Sequence, residues 1–422
     1  MMQNGRDKKV GGRGGSSAWG VSLVFAAVLV LALMTAAVVG CGGETTTTTA
    51  GEGATTTGGS TPAGDPVVIG AIVSATGPNS ALGAQERNVL EMMETVINDG
   101  GGILGRPVEI LIEDDESDAQ KAVTATNRLI DQKKAVAIIA ATGSAPTLAV
   151  KPITAEKGLP QIAMAAANDI TDTPPVEWIW RTPHKDAMAA ARALKYVAES
   201  LGVKRIAILH DENAFGSSGA AEIEKSAPGL GLEIVAKESY KTADTDVTAQ
   251  LTKIKGVSPE ALIVWGTNPG PALAAKNLKQ LGMDIPYVGS HGIANKTFIE
   301  LAGDAAEGVV FPAGRLLVPS SIAEPAQKAV TDKFIANYQA AYNGESPNAF
   351  AGYAFEAITL LASAIEKAGS TDPAALQTAL NSTQGFAGPD GIYNYSATDH
   401  DGLTPDDMII VRVEGGTWVL VE

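Results

Sequence analysis

The sequence predicts an α/β protein made of two successive units, each a parallel sheet covered by helices on both faces. Two observations lead there. Continuous apolar runs of strand length recur, as buried parallel strands require, and helix-patterned segments alternate with them. The alternation then restarts in the second half of the chain.

The first run is Val67-Val68-Ile69-Gly70-Ala71-Ile72-Val73. Turn residues Thr76-Gly77-Pro78 follow, then a helix pattern over Ala84–Asn98. Asp99-Gly100-Gly101-Gly102 ends that helix with glycines that tolerate positive φ. Val108–Ile112 reads as a strand, and Asp118 as the N-cap of a helix reaching Gln132. Val136–Ala140 is a strand, Ser144–Lys157 a helix and Pro160–Met164 a strand. The second unit begins with a helix over Asp186–Leu201, a strand over Arg205–Leu209 and a helix over Phe215–Ala227. Strands Leu232–Glu238, Ala261–Trp265 and Tyr287–Val288 alternate with helices Val247–Lys255 and Pro271–Leu281. Three late helices, Pro325–Tyr342, Phe350–Lys367 and Pro373–Leu380, complete one lobe. Met408–Val421 supplies two closing strands around Gly415-Gly416 and completes the other.

The N-terminal region has a different character. Arg6, Lys8, Lys9 and Arg13 precede an apolar run, Ala18–Val39, and together they form an export signal. The alternative is an uncleaved membrane helix, because about 20 apolar residues span a bilayer. Cys41 is the only cysteine, so it has no partner within the chain for a disulfide. An exported chain of this kind is held together by packing alone. Gly42–Asp65 is mostly Gly, Thr, Ser and Ala and reads as a flexible tether. The formal net charge is −16. Without residues 1–40 it is near −19, from 27 basic and 46 acidic residues. That balance argues against nucleic acid as a partner, since phosphate binding needs a basic face.

Val38-Val39-Gly40-Cys41 resembles the lipobox of bacterial lipoproteins. The resemblance implies a signal peptide over residues 1–40, lipidation of Cys41 and a lipid-anchored tether over 41–65. It places the chain outside the cytoplasm, at the bacterial cell membrane. A second resemblance runs through the rest of the chain. Asn98-Asp99-Gly100-Gly101-Gly102-Ile103-Leu104-Gly105-Arg106-Pro107-Val108-Glu109 with Asp114-Asp115, Arg205–Asp211, Asn295 with Leu301–Gly308, and Gly352-Tyr353-Ala354 occur in one order. Together they resemble the branched-chain amino acid-type (leucine/isoleucine/valine-binding-like) periplasmic binding proteins of type I, the solute-binding proteins of ABC importers. The resemblance implies two Rossmann-like lobes joined by a hinge of three crossing strands. Lobe one would hold residues 66–182 plus 312–384, and lobe two 183–311 plus 385–422. The crossings would fall near Arg181–Pro183, Phe311–Arg315 and Gly385–Pro389.

Open parallel sheets bind ligands at the carboxyl ends of their strands. Lobe one therefore offers the loop with Ser80 and Leu82, the segment Thr142–Ala145, and the loop with Ala165 and Ala167. Ser144 stands at a helix N-terminus, where free N–H groups attract a carboxylate; it matches the family serine that binds the ligand carboxylate. Its alternative role is to cap the helix. Ala167 occupies a position that is threonine in the family. Lobe two offers Phe215, Asn268 and His291. Phe215 matches an aromatic that covers the ligand, with ordinary core packing as the alternative. His291 replaces the acid that pairs with an amino acid's ammonium in the family. A histidine carries no negative charge, but it donates hydrogen bonds and can become cationic near neutral pH. The expected ligand is thus a carboxylate with an apolar or aromatic body, an organic acid rather than an amino acid.

Other classes fit the sequence less well. Histidines 184, 210, 291 and 400 lack metal-ligand spacing, and neither a Gly-x-Ser-x-Gly elbow nor a P-loop occurs. No catalytic, cofactor or metal residue is assigned, so neither enzyme activity nor a cofactor is expected. The expected partners are a small-molecule ligand and ABC permease subunits, with the chain itself a monomer. Amino acid uptake and a sensory receptor without transport are the alternatives.

Overall fold

The computed structural model describes residues 62–422. The expected signal peptide, Cys41 and the tether as far as Thr61 lie outside the described residues. The first sheet is built from β1 (Val67–Val73), β2 (Val108–Asp114), β3 (Ala137–Ala140), β4 (Gln161–Ala163) and β5 (Ile179–Arg181). Helices α1 (Ser80–Asp99), α2 (Ala119–Asn127), α3 (Ser144–Lys157) and the short α4 (Asp169–Asp172) connect them. The strand order is β2-β1-β3-β4-β5, all parallel. The apolar run of β1 is buried except at Val68, which is half-buried. Asp118 caps α2, accepting from the Lys121 amide at 2.9 Å. The helix continues as a π-helical turn through Gln132. Gly158, at φ 59°, stops α3 at the residue after Lys157.

The second sheet opens after α5 (Asp186–Lys195), which also continues as a π-helical turn. Its parallel strands are β6 (Arg205–Asp211), β7 (Glu233–Tyr240), β8 (Ala261–Trp265), β9 (Tyr287–Gly289) and β10 (Val310–Ala313). Helices α6 (Ala214–Ser226), α7 (Thr248–Gly256), α8 (Gly270–Gln280) and α9 (Lys296–Ala302) lie between them. Next come α10 (Pro325–Ala341), α11 (Ala349–Ala368) and α12 (Pro373–Asn381), then the small hairpin β11 (Phe386–Ala387) and β12 (Ile392–Tyr393). β13 (Ile409–Glu414) and β14 (Thr417–Leu420) add antiparallel to β10, giving the order β14-β13-β10-β9-β8-β6-β7.

The late helices join the first lobe: α11 packs on α1 and α12, and α10 also meets α1. α11 is long and apolar enough to cross a membrane, yet most of it is buried in this core. The closing strands complete the second sheet, as the sequence predicts. Strands β5 and β10, helix α9 and the β11–β12 hairpin are additions to that reading. Each strand has two to four residues, too few to show a period, and proline interrupts β10 at Pro312.

Three chain segments connect the lobes, and their contacts tie them to one another. Tyr395 donates its hydroxyl to the Arg181 carbonyl and Tyr393 lies equally close to the Thr182 carbonyl, both at 2.7 Å. The Asp390 carboxyl packs on Gly314 and Gly352, where any Cβ would collide with it.

Candidate functional site

In both sheets the strand order reverses beside the first strand, between β1 and β3 and between β6 and β8. Such reversals open a crevice at the strands' carboxyl ends, and here the two crevices share one cavity. The cavity has a volume of about 250 Å³. Its lobe-one wall comes from Pro78, Asn79, Leu82, Ser117, Thr142–Pro146 and Met164–Ala166. Asn213–Phe215, Thr242, Thr267, His291 and Gly292 form the lobe-two wall. Pro183, Phe350 and Tyr353 close the hinge side.

Local packing sets the lobe-one wall. The chain turns after β1 at Ser74, whose amide donates to Thr142 Oγ1 at 2.9 Å and whose hydroxyl donates to Asp115 Oδ1 at 2.7 Å. Gly83 lets α1 lie directly against the Ser74 carbonyl, because a Cβ there would collide with it. That contact aims Leu82 into the cavity. Ser144 is the first residue of α3 and makes no cap hydrogen bond. Instead its Oγ accepts from the Ala167 amide at 3.2 Å, which leaves the hydroxyl hydrogen available. The first-turn amides of α3 have no intrahelical carbonyl to meet, so the helix end is open to an anion.

The lobe-two wall is aromatic. Phe215 meets His291 edge-on with ring centroids 5.3 Å apart, and His291 meets Trp265 at 5.9 Å. Phe215 thus belongs to the core and to the cavity wall at once. Ser290 donates to the Gly266 carbonyl at 2.9 Å and accepts from the Gly292 amide at 3.2 Å, which fixes the His291 turn. The lobes touch across the cleft. Thr267 Oγ1 donates to Asn79 Oδ1 at 3.3 Å, and the Asn168 amide donates to Ser218 Oγ at 3.0 Å.

The structure brings Leu82, Thr142, Ser144, Ala165, Phe215 and His291 together around the cavity. Ser80, Ala167 and Asn268 stand outside its wall. Ser80 opens α1 two residues before Leu82. Ala167 acts through its amide on Ser144, and Asn268 turns to donate to Asn295 at 3.2 Å. Sequence reasoning missed Phe350 and Tyr353 as wall residues, while Asn79 and Met164 fall in the loops it expected to line the cleft. The Gly352-Tyr353-Ala354 motif was the available signal for one of them, but it marked only the family.

The electrostatics are unusual for a polar ligand site: no Asp, Glu, Lys or Arg lines the cavity. His291 is the decisive ring. Burial, and then the neighbouring His184, push its pKa down to about 3. The expectation that it becomes cationic near neutral pH is therefore corrected: desolvation in this aromatic setting keeps the ring neutral. A neutral ring has one donor and one acceptor nitrogen; both are enclosed by the protein, with the His184 backbone beside the ring. Just behind the wall lies Glu86, fully enclosed, with its carboxyl pushed up to about 8 by burial.

Two lobes, each with a largely parallel sheet ending at a shared cavity, define a bilobal solute-binding protein. The sequence model of the periplasmic binding proteins matches residues 66–417, and the chain belongs to that family. The family comprises binding proteins rather than enzymes and works outside the cytoplasm. Among its relatives is the leucine-, isoleucine-, valine-, threonine- and alanine-binding protein of Pseudomonas aeruginosa. It is 29% identical over 329 residues, covering 78% of this chain and 85% of that one. Among solved structures, an extracellular ligand-binding receptor from Rhodopseudomonas palustris HaA2 superposes with a TM-score of 0.79. It is 26% identical and covers 85% of this chain and 100% of the other. A leucine-binding protein from Thermotoga maritima gives 0.76 at 27% identity, over 84% and 98% of the two chains. The fold is that of the type I periplasmic binding proteins.

Proposed function

We propose that this protein captures a small organic acid, aromatic or aliphatic, between its lobes and delivers it to the membrane subunits of an ABC importer. One observation carries the ligand class: the cavity wall contains no carboxylate to hold an ammonium. The open end of α3, with the Ser144 hydroxyl, suits a carboxylate. Leu82, Met164, Phe215 and Phe350 suit an apolar body. His291, held neutral beside Phe215, adds an uncharged ring to the lobe-two side where an amino acid binder would need an acid. The proposal keeps Cys41 as the lipid anchor of a monomer. It divides the lobes as 66–182 plus 312–384 and 183–311 plus 385–422, and it assigns the chain no catalytic step.

The names of the relatives favour a second reading, uptake of a branched-chain amino acid. A thermal-shift screen separates the two. Benzoate-like, phenylpropenoid and short aliphatic acids are compared with leucine, isoleucine and valine. A ligand at about 100 times its Kd stabilises the folded state by about 2.7 kcal/mol. Shifts with organic acids alone support the proposal, and shifts with amino acids alone replace it. A permease and an ATPase encoded beside this chain favour transport over sensing.

A further inference from the structure

Thr142 Oγ1 has two neighbours besides the cavity. It accepts from the Ser74 amide at 2.9 Å, and it is in close hydrogen-bond contact with Glu86 Oε2. A threonine hydroxyl has one hydrogen to give. An ionised Glu86 would claim that hydrogen and leave nothing for the cleft. A protonated Glu86 would instead donate to Thr142, and the threonine hydrogen would then turn toward the cavity that Thr142 lines.

The surroundings favour the protonated form. Glu86 is wholly buried, and its Oε1 has no partner. A lone buried carbonyl oxygen is tolerable, whereas a lone buried carboxylate oxygen is costly. The groups set around it are acids or neutral: Asp115 after β2, Ser74 after β1, Thr142 after β3 and Tyr353 from α11. On its own helix the adjacent Arg87 is exposed and paired with Glu91 at 2.7 Å. No basic residue is ion-paired to Glu86 among the described residues.

We propose that Glu86 is a positioning residue: it donates its proton to Thr142 Oγ1, so that the Thr142 hydroxyl hydrogen is held ready for the ligand's carboxylate. The proposal rests on a carboxylate-bearing ligand at the start of α3, a feature common to organic acids and amino acids. Ionisation of Glu86 would draw that hydrogen back from the cleft and add a negative charge behind the site. Binding of a carboxylate should therefore fade once pH passes about 8, where Glu86 titrates. Tyr353 ionises well above 10 and does not share that window.

The test compares the full chain, in mild detergent, with Glu86→Gln and Thr142→Val. A glutamine amide donates to Thr142 at every pH and mimics the protonated acid. Without ligand, urea unfolding is measured from pH 6 to 9. The folded state holds a proton that the unfolded state lacks, so stability falls as pH rises. The wild-type folding constant should drop about tenfold per pH unit relative to Glu86→Gln, levelling off above about 8. With benzoate and then leucine as probes, calorimetry covers the same range. Wild-type affinity should fall above about 8, Glu86→Gln should hold its pH 6.5 affinity throughout, and Thr142→Val should be weak and flat. Superimposable stability slopes for wild type and Glu86→Gln overturn the proposal whether or not a probe binds. Binding with superimposable pH profiles overturns it too. Failure of both probes to bind overturns instead the carboxylate reading beneath it, and with it the role at the cleft.

Discussion

Glu356 Oε2 and the Tyr393 hydroxyl lie 2.5 Å apart in the fully buried hinge. The same hydroxyl is 2.7 Å from the Thr182 carbonyl, which can only accept. Tyr393 has one hydrogen for two acceptors unless Glu356 brings its own. Burial pushes Glu356 well up, the nearby Asp390 carboxyl adds to that rise, and burial raises Asp390 to about 7. A protonated Glu356 donating to Tyr393, which donates to Thr182, satisfies every group in the line.

This gives a pH dependence of stability. Acids with raised folded-state pKa contribute stability that is complete below the unfolded carboxylate range and is lost as pH rises through the folded value. The Asp390 contribution should therefore disappear between about pH 4 and about pH 7. The slope is at most about 1.4 kcal/mol per pH unit for one proton. Urea unfolding at pH 5, 6.5 and 8 should show a shallower decline for Asp390→Asn than for wild type.

Ser144→Ala should spare the fold and damage binding. Its hydroxyl is the side-chain donor at the open end of α3 and is not used as a cap. Hydrogen bonds to a charged group contribute about 1.5–3 kcal/mol. The Kd for a carboxylate probe should therefore rise about 10- to 100-fold in calorimetry, with a small change in melting temperature.

Thr267→Val removes the hydrogen bond to Asn79 across the cleft. A neutral bond contributes about 1 kcal/mol net. Affinity should weaken about fivefold, and the loss should appear as faster dissociation in stopped-flow release. An unchanged release rate would show that this contact does not help to hold the lobes together.

His291→Ala should lower affinity for an organic acid by tenfold or more while leaving leucine no better bound. Because the wild-type ring is neutral above about pH 3, organic-acid binding should be constant from pH 5 to 7. A binding transition near pH 6.5 would mean that ligand entry charges the ring.

Long elements were the most legible in the sequence. The β1 run and α3 fall on the residues expected, because a continuous run of seven apolar residues and a helix bounded by Gly143 and Gly158 carry their own signals. β5 and β10 did not, since three and four residues are too few to show a period and Pro312 interrupts β10. Six of the nine expected site residues reach the cavity because strand ends dictate the loops. Phe350 and Tyr353 were invisible as wall residues: α11 arrives from a late part of the chain, and its own pattern shows only a core helix. The charge state of His291 was also illegible, for it depends on depth of burial, which no local pattern encodes.

The two sheets take opposite ends of the described chain. Val67 begins the first, and Leu420 lies in the last strand of the second. A fluorophore placed just before Val67 therefore travels with one lobe, and another placed after Leu420 travels with the other. Energy transfer between such a pair would give a ruler for lobe closure, usable in screening ligands that carry no chromophore of their own.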